Sequence, residues 1–412
     1  MKAPFSGLKI IDLSAVVSGP MATGLLADQG ADVIKVETPK GDLTRVIGPA
    51  KGDISALFTT INRGKRSIVL DLKHPDGAQV LRDLIASADV LVENFRPGAL
   101  ARLGFSYDAV AATNPRLIYL SISGFGQTGP YAGFRVYDPV IQAVSGFADA
   151  HPHSETGEPQ LLQTLLCDKI TALTAAQAIG SALYARSQSG RGQKIELSML
   201  DAALSFLWPE ALYNHSFLDG DVAPMPEFGA NQKLWRGSDG WFAMITPQDD
   251  EFAAMCRTLG VPELIRDPRF VSIPVRRNHQ PELRALIEPL IASQPVDDLV
   301  ARLGAAGVPV GRVNYKRDLA LDPQIKVNES LQDSSQPGVG RLRTPRAAAR
   351  FPAVAPGPSP DAPHLGEHTL AVLRTLGRTD AQIDALRASG AVQSPGERVV
   401  AGPGAPATGA AA

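Results

Sequence analysis

The first forty residues restrict the fold more than any other stretch. Leu8–Leu13 (LKIIDL) is a short apolar strand, Pro20 opens a helical run (PMATGLLADQ) that Gly30 stops, and Asp32–Glu37 (DVIKVE) is a second strand. Strand, helix and strand in that order begin a parallel α/β sheet. With 412 residues there is room for two domains, and 44% hydrophobic with 20% charged residues is the make-up of an ordinary soluble globular protein. A net charge of −2 argues against a general binder of nucleic acid or membrane surfaces, yet leaves room for a local basic patch on an anionic ligand. The two cysteines, Cys167 and Cys256, lie far apart in apolar contexts. Neither a disulfide framework nor a cysteine zinc site is expected, and a reducing cytoplasm fits. No uncharged apolar run reaches membrane-spanning length, and Lys9 and Asp12 interrupt any signal-peptide core.

Phosphate motifs come next. The first turn, SAVVSGP, lacks the G-x-G-x-x-G of a dinucleotide site, and no Gly-Lys-Ser/Thr follows GPMATG. Asn62-Arg63-Gly64-Lys65-Arg66 precedes a strand at Ser67–Leu72. Three cations in four residues beside a glycine suit phosphates and suit a solvated loop equally well. A helix over 75–86 leads to the strand ADVLVENF, ending in Asn94-Phe95-Arg96-Pro97-Gly98. Ligands gather at the carboxyl ends of strands in open α/β sheets, which singles out Asn94 and Arg96. A strand at Arg116–Ser123 runs into Gly124-Phe125-Gly126-Gln127-Thr128-Gly129. Pro130 follows and no helix begins until about Asp138, so the motif reads as a glycine loop near the site, without the helix N-terminus that receives a pyrophosphate.

The stretch Leu161–Gln193 holds one acid, Asp168, in apolar and small company, with Lys169 beside it. Helical spacing from Ile170 to Leu183 predicts a buried helix with Asp168 at its mouth, closed by Gly190 and Gly192, with Arg186 and Arg191 near the negative end of its dipole. A carboxylate there is either an N-cap or a catalytic group that apolar surroundings make a stronger nucleophile. His151-x-His153 with Glu155, and His364-x-x-Glu367-His368, have metal-like spacing on paper. The first lies in a loop without further ligands; Gly366 interrupts the second, so both read as metal-free, and 367–376 reads as a plain amphipathic helix. The Pro-, Gly- and Met-rich passage 216–232 reads as a linker. A small α/β domain follows over 233–322: a strand at Trp241–Ile245, a helix Asp249–Leu259 capped by Asp249, further helices, and a strand Val308–Val313. A second linker covers 323–345, a strand lies near Ala347–Phe351, and the Pro/Gly/Ala tail 394–412 reads as disordered.

Taken together, GLKIIDLSAVVSGP, GADVIKVE, NRGKRSIVLDLK, ADVLVENFRPG, SISGFGQTGPY, SGRGQKIELSMLDA, GVPVGRVN and LGEHT, in this order, closely resemble the class III coenzyme A transferase family over roughly residues 5–375. That family includes formyl-CoA transferase, carnitine CoA-transferase and α-methylacyl-CoA racemase. The resemblance implies a large Rossmann-like domain made from both chain ends (1–215 and 346–393), the small domain inserted between, and two chains interlocked as a homodimer. Coenzyme A, a substrate and not a bound cofactor, would lie along the large domain with its thiol near the partner's small domain. The position matching the family's covalent nucleophile is Asp168. The CoA contacts carry over to Leu70, Lys73, Asn94, Phe95, Arg96, Arg102, Arg135 and Tyr137. Val17 and Ser18 replace the polar-then-small pair of formyl-CoA transferase, Arg135 stands where some members have lysine, and Thr38 replaces a basic residue at the adenine end.

The expected chemistry is transfer of CoA from an acyl-CoA to a small carboxylic acid through aspartyl anhydride and aspartyl–CoA thioester stages. Backbone N–H groups of the Gly124–Gly129 or Gly229 loops would steady oxyanions, and residues 63–66, Arg96 and Arg102 would meet the phosphates. The racemase branch uses a histidine–aspartate pair, which here reads Tyr137-Asp138, and a tyrosine titrating near 10 is a poor base at neutral pH. Racemisation of an α-methylacyl-CoA and non-catalytic acyl-CoA binding are the alternatives.

Overall fold

The side-chain alternation of the first strand builds a sheet with two buried faces. In the computed structural model, which describes residues 1–153, 156–227, 229, 232–354 and 360–395, β1 spans Lys9–Asp12. Its Ile10 packs on one face with Val33, Val90, Val92, Ile118 and Leu120, and its Ile11 on the other with Ile34, Ile68 and Leu91. A strand apolar on both sides needs cover on both sides, which parallel connections supply. The further strands are β2 (Asp32–Glu37), β3 (Arg66–Leu70), β4 (Val90–Glu93), β5 (Ile118–Ser123), β6 (Lys194–Ser198) and β7 (Val392–Gln393). They lie in the order β7-β3-β2-β1-β4-β5-β6. β1 to β6 run parallel; β7 joins β3 antiparallel, with Val392 opposite Leu70. The parallel part has the doubly wound order, whose direction reverses between β1 and β4 and leaves a crevice at their carboxyl ends.

Two helices cover the face of Ile10. Helix α1 (Ser18–Ala27) contributes Ala22 and Leu26; the 24-residue α4 (Leu166–Ser189) contributes Ala172, Ala175, Ile179 and Ala182. Small side chains at that contact let the two backbones approach closely. The other face is covered by α2 (Pro75–Ala86), with Val80, Leu81, Leu84 and Ile85, and by the helices Thr369–Thr375 and Asp380–Ala388. The remaining helix near the site, α3 (Asp138–Val144), precedes α4. Gly192 sits where an added Cβ would come within 2.0 Å of the Leu117 carbonyl oxygen, so α4 hands the chain to β6 through a point that only glycine fits.

One compact unit holds Met1–Trp208 with the chain from Ser330 onward, and a second holds Pro209–Glu329. In the second, a three-stranded antiparallel sheet of Val310–Arg312, Trp241–Met244 and Trp235–Arg236 packs with helices Asp249–Thr258, Gln280–Ile291 and Val296–Ala305. Phe242, Phe252, Phe270, Ile287, Leu299 and Leu303 form its core.

Several local expectations change. Helix α1 begins at Ser18, two residues before the proline. The cap of Asp249–Thr258 is Gln248, closed by Glu251 in a reciprocal capping box; Asp249 instead meets Arg276 at 2.5 Å. The passage 323–345 carries a helix, Pro323–Val327, and a hairpin of Leu331–Gln336 with Gly340–Pro345, cross-braced by Arg343 on Asp333. No strand forms at 347–351. The helix expected over 367–376 runs Thr369–Thr375, because Gly366 at φ +67° turns the chain before it starts. Residues 396–412 lie outside the described residues. Among those described, no helix is long and apolar enough to cross a membrane.

Candidate active site

Helix α4 has a cap residue, Leu165, that offers no side chain to its orphan N–H groups. The Asp138 carboxylate, 1% exposed at the start of α3, fills that role: its Oδ2 accepts the Asp168 backbone N–H at 2.8 Å. Gln142 fixes Asp138 in turn, donating to its Oδ1 at 2.5 Å and to the Thr164 carbonyl at 3.0 Å. The N-cap reading of Asp168 therefore falls away: the residue lies within the first turn and its carboxyl is left for another task. Asp168 is buried, with 6% of the residue exposed. Burial raises its pKa to about 6, Asp138 pushes the same way, and the nearby Ser18 N–H and hydroxyl pull it back. Burial and the two acids also push the neighbouring Cys167 thiol up to about 12, which leaves it inert.

Ser18 is delivered by the turn between β1 and α1. Asn94, at the end of β4, clamps this turn: Ala15 N–H donates to its Oδ1 at 2.9 Å and its Nδ2 donates to Ala15 O at 2.8 Å. Below it lies a buried charge network. Asp12 meets Lys65 at 2.9 Å with both side chains fully buried, accepts Thr23 Oγ1 at 2.7 Å, and holds the Ser14 hydroxyl. Burial works against ionising Asp12, yet Lys65 and Lys35 hold its carboxyl down to about 2. Burial lowers the Lys65 ammonium to about 8 in spite of Asp12. Lys35 pairs with Asp42 at 2.8 Å, and Arg45 with Glu37 at 2.7 Å. Gly19 is required here, since an added Cβ would lie 2.2 Å from Ser14 Oγ.

Above the network opens a cleft lined by Leu13, Ser14, Ala15, Thr38, Leu70, Leu72 and Phe95, with Lys35 and Asp42 at its floor. The anticipated residues Leu70 and Phe95 share this cleft; Val17 and Ser18 follow Ala15 in the chain but are buried outside its lining. The cations sort into two groups. Arg63 is bidentate on Asp28 at 2.7 and 2.9 Å, Lys65 is on Asp12, and Arg66 is bidentate on Asp32 at 2.6 and 2.9 Å. The expectation that residues 63–66 meet phosphates is thereby overturned: internal carboxylates hold all three. Lys73, Arg96, Arg102 and Arg135 are exposed, and each side chain stands apart from the ion pairs among the described residues. Tyr137 is exposed and stands at the N-cap position of α3 without a side-chain cap bond.

Sequence reading passed over Asp138 as an anchor, Gln142, and the Asp12–Lys65 pair. An acid directly before Pro139 at a helix start is the signal that marks Asp138. His364 pairs with Asp53 at 2.6 Å while His368 accepts the Ser67 N–H at 3.2 Å, so the two histidines fasten separate strands of chain. No cluster of three or more His, Cys, Asp or Glu suited to a metal occurs among the described residues. Glu155 and residues 228, 230 and 231 around Gly229 lie outside them.

Fold and site define an α/β protein with a buried carboxyl beside a cleft at the switch point of a doubly wound sheet. The chain belongs to CoA-transferase family III, whose pattern matches residues 5–369. It is 38% identical over 395 residues to acetyl-CoA:oxalate CoA-transferase of Acetobacter aceti, covering 92% of this chain and 98% of that protein. It is 36% identical over 400 residues to succinate–glutarate CoA-transferase of Agrobacterium fabrum, with the same coverage of 92% and 98%. The crystal structure of a CAIB/BAIF family protein from Brucella suis superposes with a TM-score of 0.78 at 35% identity, covering 91% of this chain and all of that one.

Proposed function

We propose that this enzyme moves coenzyme A from an acyl-CoA to a small carboxylic acid by way of covalent intermediates on Asp168. The observation that carries the reading is one buried carboxyl, raised to about 6 and faced by two Ser18 donors at the carboxyl edge of the sheet. At neutral pH such a group is mostly ionised, and it is more basic than a hydrated aspartate. Its oxygen adds to the donor's thioester carbonyl; the C–S bond breaks, CoA leaves as thiolate, and a mixed anhydride remains. The thiolate then adds to the Asp168 carbonyl carbon, the donor acid departs as carboxylate, and an aspartyl–CoA thioester is left. The acceptor carboxylate attacks that thioester and expels thiolate. The thiolate returns to the acceptor's acyl carbon, releasing the new CoA ester and free Asp168. No proton is consumed at any stage.

The apolar walls of the cleft, Leu13, Leu70, Leu72 and Phe95, suit the flat adenine of CoA, and Lys73, Arg96 and Arg102 are the uncommitted cations for its phosphates. The names of the relatives make small dicarboxylates, oxalate and the succinate–glutarate pair, the first acceptors to test. Racemisation finds less support. Tyr137 is exposed, and both oxygens of Asp138 already hold the N-terminus of α4 and Gln142.

The reading extends to the assembly: a homodimer of interlocked chains, with 1–215 and 346–393 forming the CoA-binding domain and 233–322 the small domain. Exposed apolar side chains support a second copy; on α4 alone, Leu173 is 56% and Tyr184 72% exposed. The deciding experiment is trapping. With acyl-CoA and acceptor turning over, hydroxylamine followed by mass spectrometry should mark the peptide carrying Asp168. Asp168→Ala should bind CoA and transfer nothing. CoA exchange between acids with that peptide unmodified sinks the proposal.

A further inference from the structure

Val16, in the turn that delivers Ser18, has φ +70°. A β-branched residue crowds its own backbone in that region, which glycine enters freely. Such a conformation persists only where its surroundings over-determine it. Here they do. Ser14 N–H donates to Asp12 Oδ1 at 3.0 Å and Lys35 Nζ to Ser14 O at 3.0 Å. Asn94 holds both polar groups of Ala15, and Val16 N–H donates to Asp42 Oδ1 at 3.3 Å. Side chains from β1 and β2, from the residue that follows β4 and from the loop after β2 thus fix three consecutive residues. Val17, the next one, is the N-cap position of α1 and makes no side-chain cap bond, and Ser18 follows with its N–H and hydroxyl near Asp168.

We propose that Val16 is a positioning residue: its branched side chain stiffens a strained turn so that the Ser18 N–H and hydroxyl stay on the Asp168 carboxyl throughout acylation. The inference rests on the transferase reading. While Asp168 is a carboxylate, its charge draws the donors by itself. Once the carboxyl is an anhydride or thioester that charge is gone, and only a turn already rigid keeps the donors on the carbonyl oxygen. Negative charge develops on that oxygen when thiolate or carboxylate adds to the carbonyl carbon. A loose turn would therefore leave binding intact and slow the acyl-enzyme steps, where a misplacement of about 1 Å costs about a hundredfold.

The test uses Val16→Gly and Val16→Asn in the full-length enzyme, since both residues accept φ above zero. Thermal midpoint, KM for the acyl-CoA and kcat are measured for each, beside Asp168→Ala. The expected result is an unchanged or raised midpoint, KM within about twofold, and kcat lowered about fivefold or more. A kcat within about fivefold of wild type, a rise in KM alone, or a loss of activity that follows a falling midpoint overturns the inference. Transfer by Asp168→Ala would instead remove the reading on which it stands. Active Val16 variants beside an inactive Asp168→Ala sink only the role of Val16.

Discussion

Asp168 destabilises the fold that uses it. Its folded pKa of about 6 lies above the ordinary 3.8, so between those values the folded state holds a proton the unfolded chain has lost. Stability therefore falls as pH rises through that window, and the whole cost stands above pH 6. Asp168→Asn should be more stable than wild type at pH 7.5 by up to about 3 kcal/mol, with the difference vanishing near pH 4, as thermal melts at both pH values will show. Activity runs the other way: kcat/KM should fall below about pH 6 as the nucleophile protonates. A dephospho-CoA thioester belongs in that profile, because a CoA phosphate titrates near 6 as well. This residue shows what a sequence discloses about a site. A lone acid in apolar company was legible, and resemblance to a family gave it a role. That it is not the cap was not legible, because that depends on Asp138 reaching across from another helix, thirty positions away.

At the scale of elements, the segments flanking the strands carry two kinds of cation that look alike in sequence: 63–66 lead into β3, while Lys73, Arg96 and Arg102 follow the carboxyl ends of β3 and β4. Arg63, Lys65 and Arg66 sit beside a glycine as phosphate ligands do, yet their spacing is set by Asp28, Asp12 and Asp32, all distant in the chain. Removing one partner of a fully buried pair leaves the other charge alone, so Lys65→Met should cost about 3–5 kcal/mol in urea unfolding without a matching change in KM for the CoA ester. Arg96→Ala and Arg102→Ala should do the opposite. Each loses a charge-assisted contact to phosphate, raises KM about tenfold, and leaves unfolding within about 0.5 kcal/mol. Equal effects of both sets on KM would return residues 63–66 to the binding site. Strand and helix order was readable because alternation and helical spacing are local. Ion-pair partners, the hairpin at 331–345 and the Gln248 cap were not, because contacts that close in three dimensions decide them.

For the whole molecule, the pairing of β7 with β3 closes the chain on itself: Val392 lies opposite Leu70, and more than three hundred residues form the loop between them. A closed loop is what a second chain needs if it is to be threaded and held. An ordinary dimer separates when diluted and exchanges subunits with a labelled copy. Two interlocked chains cannot do either until β7 leaves the sheet, which means unfolding part of the large unit. Light scattering should therefore give twice the 43.6 kDa of one chain down to nanomolar concentrations. Mixing tagged and untagged dimers under native conditions should produce no hybrid over days, whereas unfolding and refolding them together should give hybrid as about half of the dimers. The exposed apolar face of α4, with Leu173 and Tyr184, predicts the same from surface energetics, since burying it against a copy removes from water side chains that a lone chain leaves wet. Native exchange within hours would leave an ordinary apolar interface to explain that face, and would remove the threading while keeping the dimer.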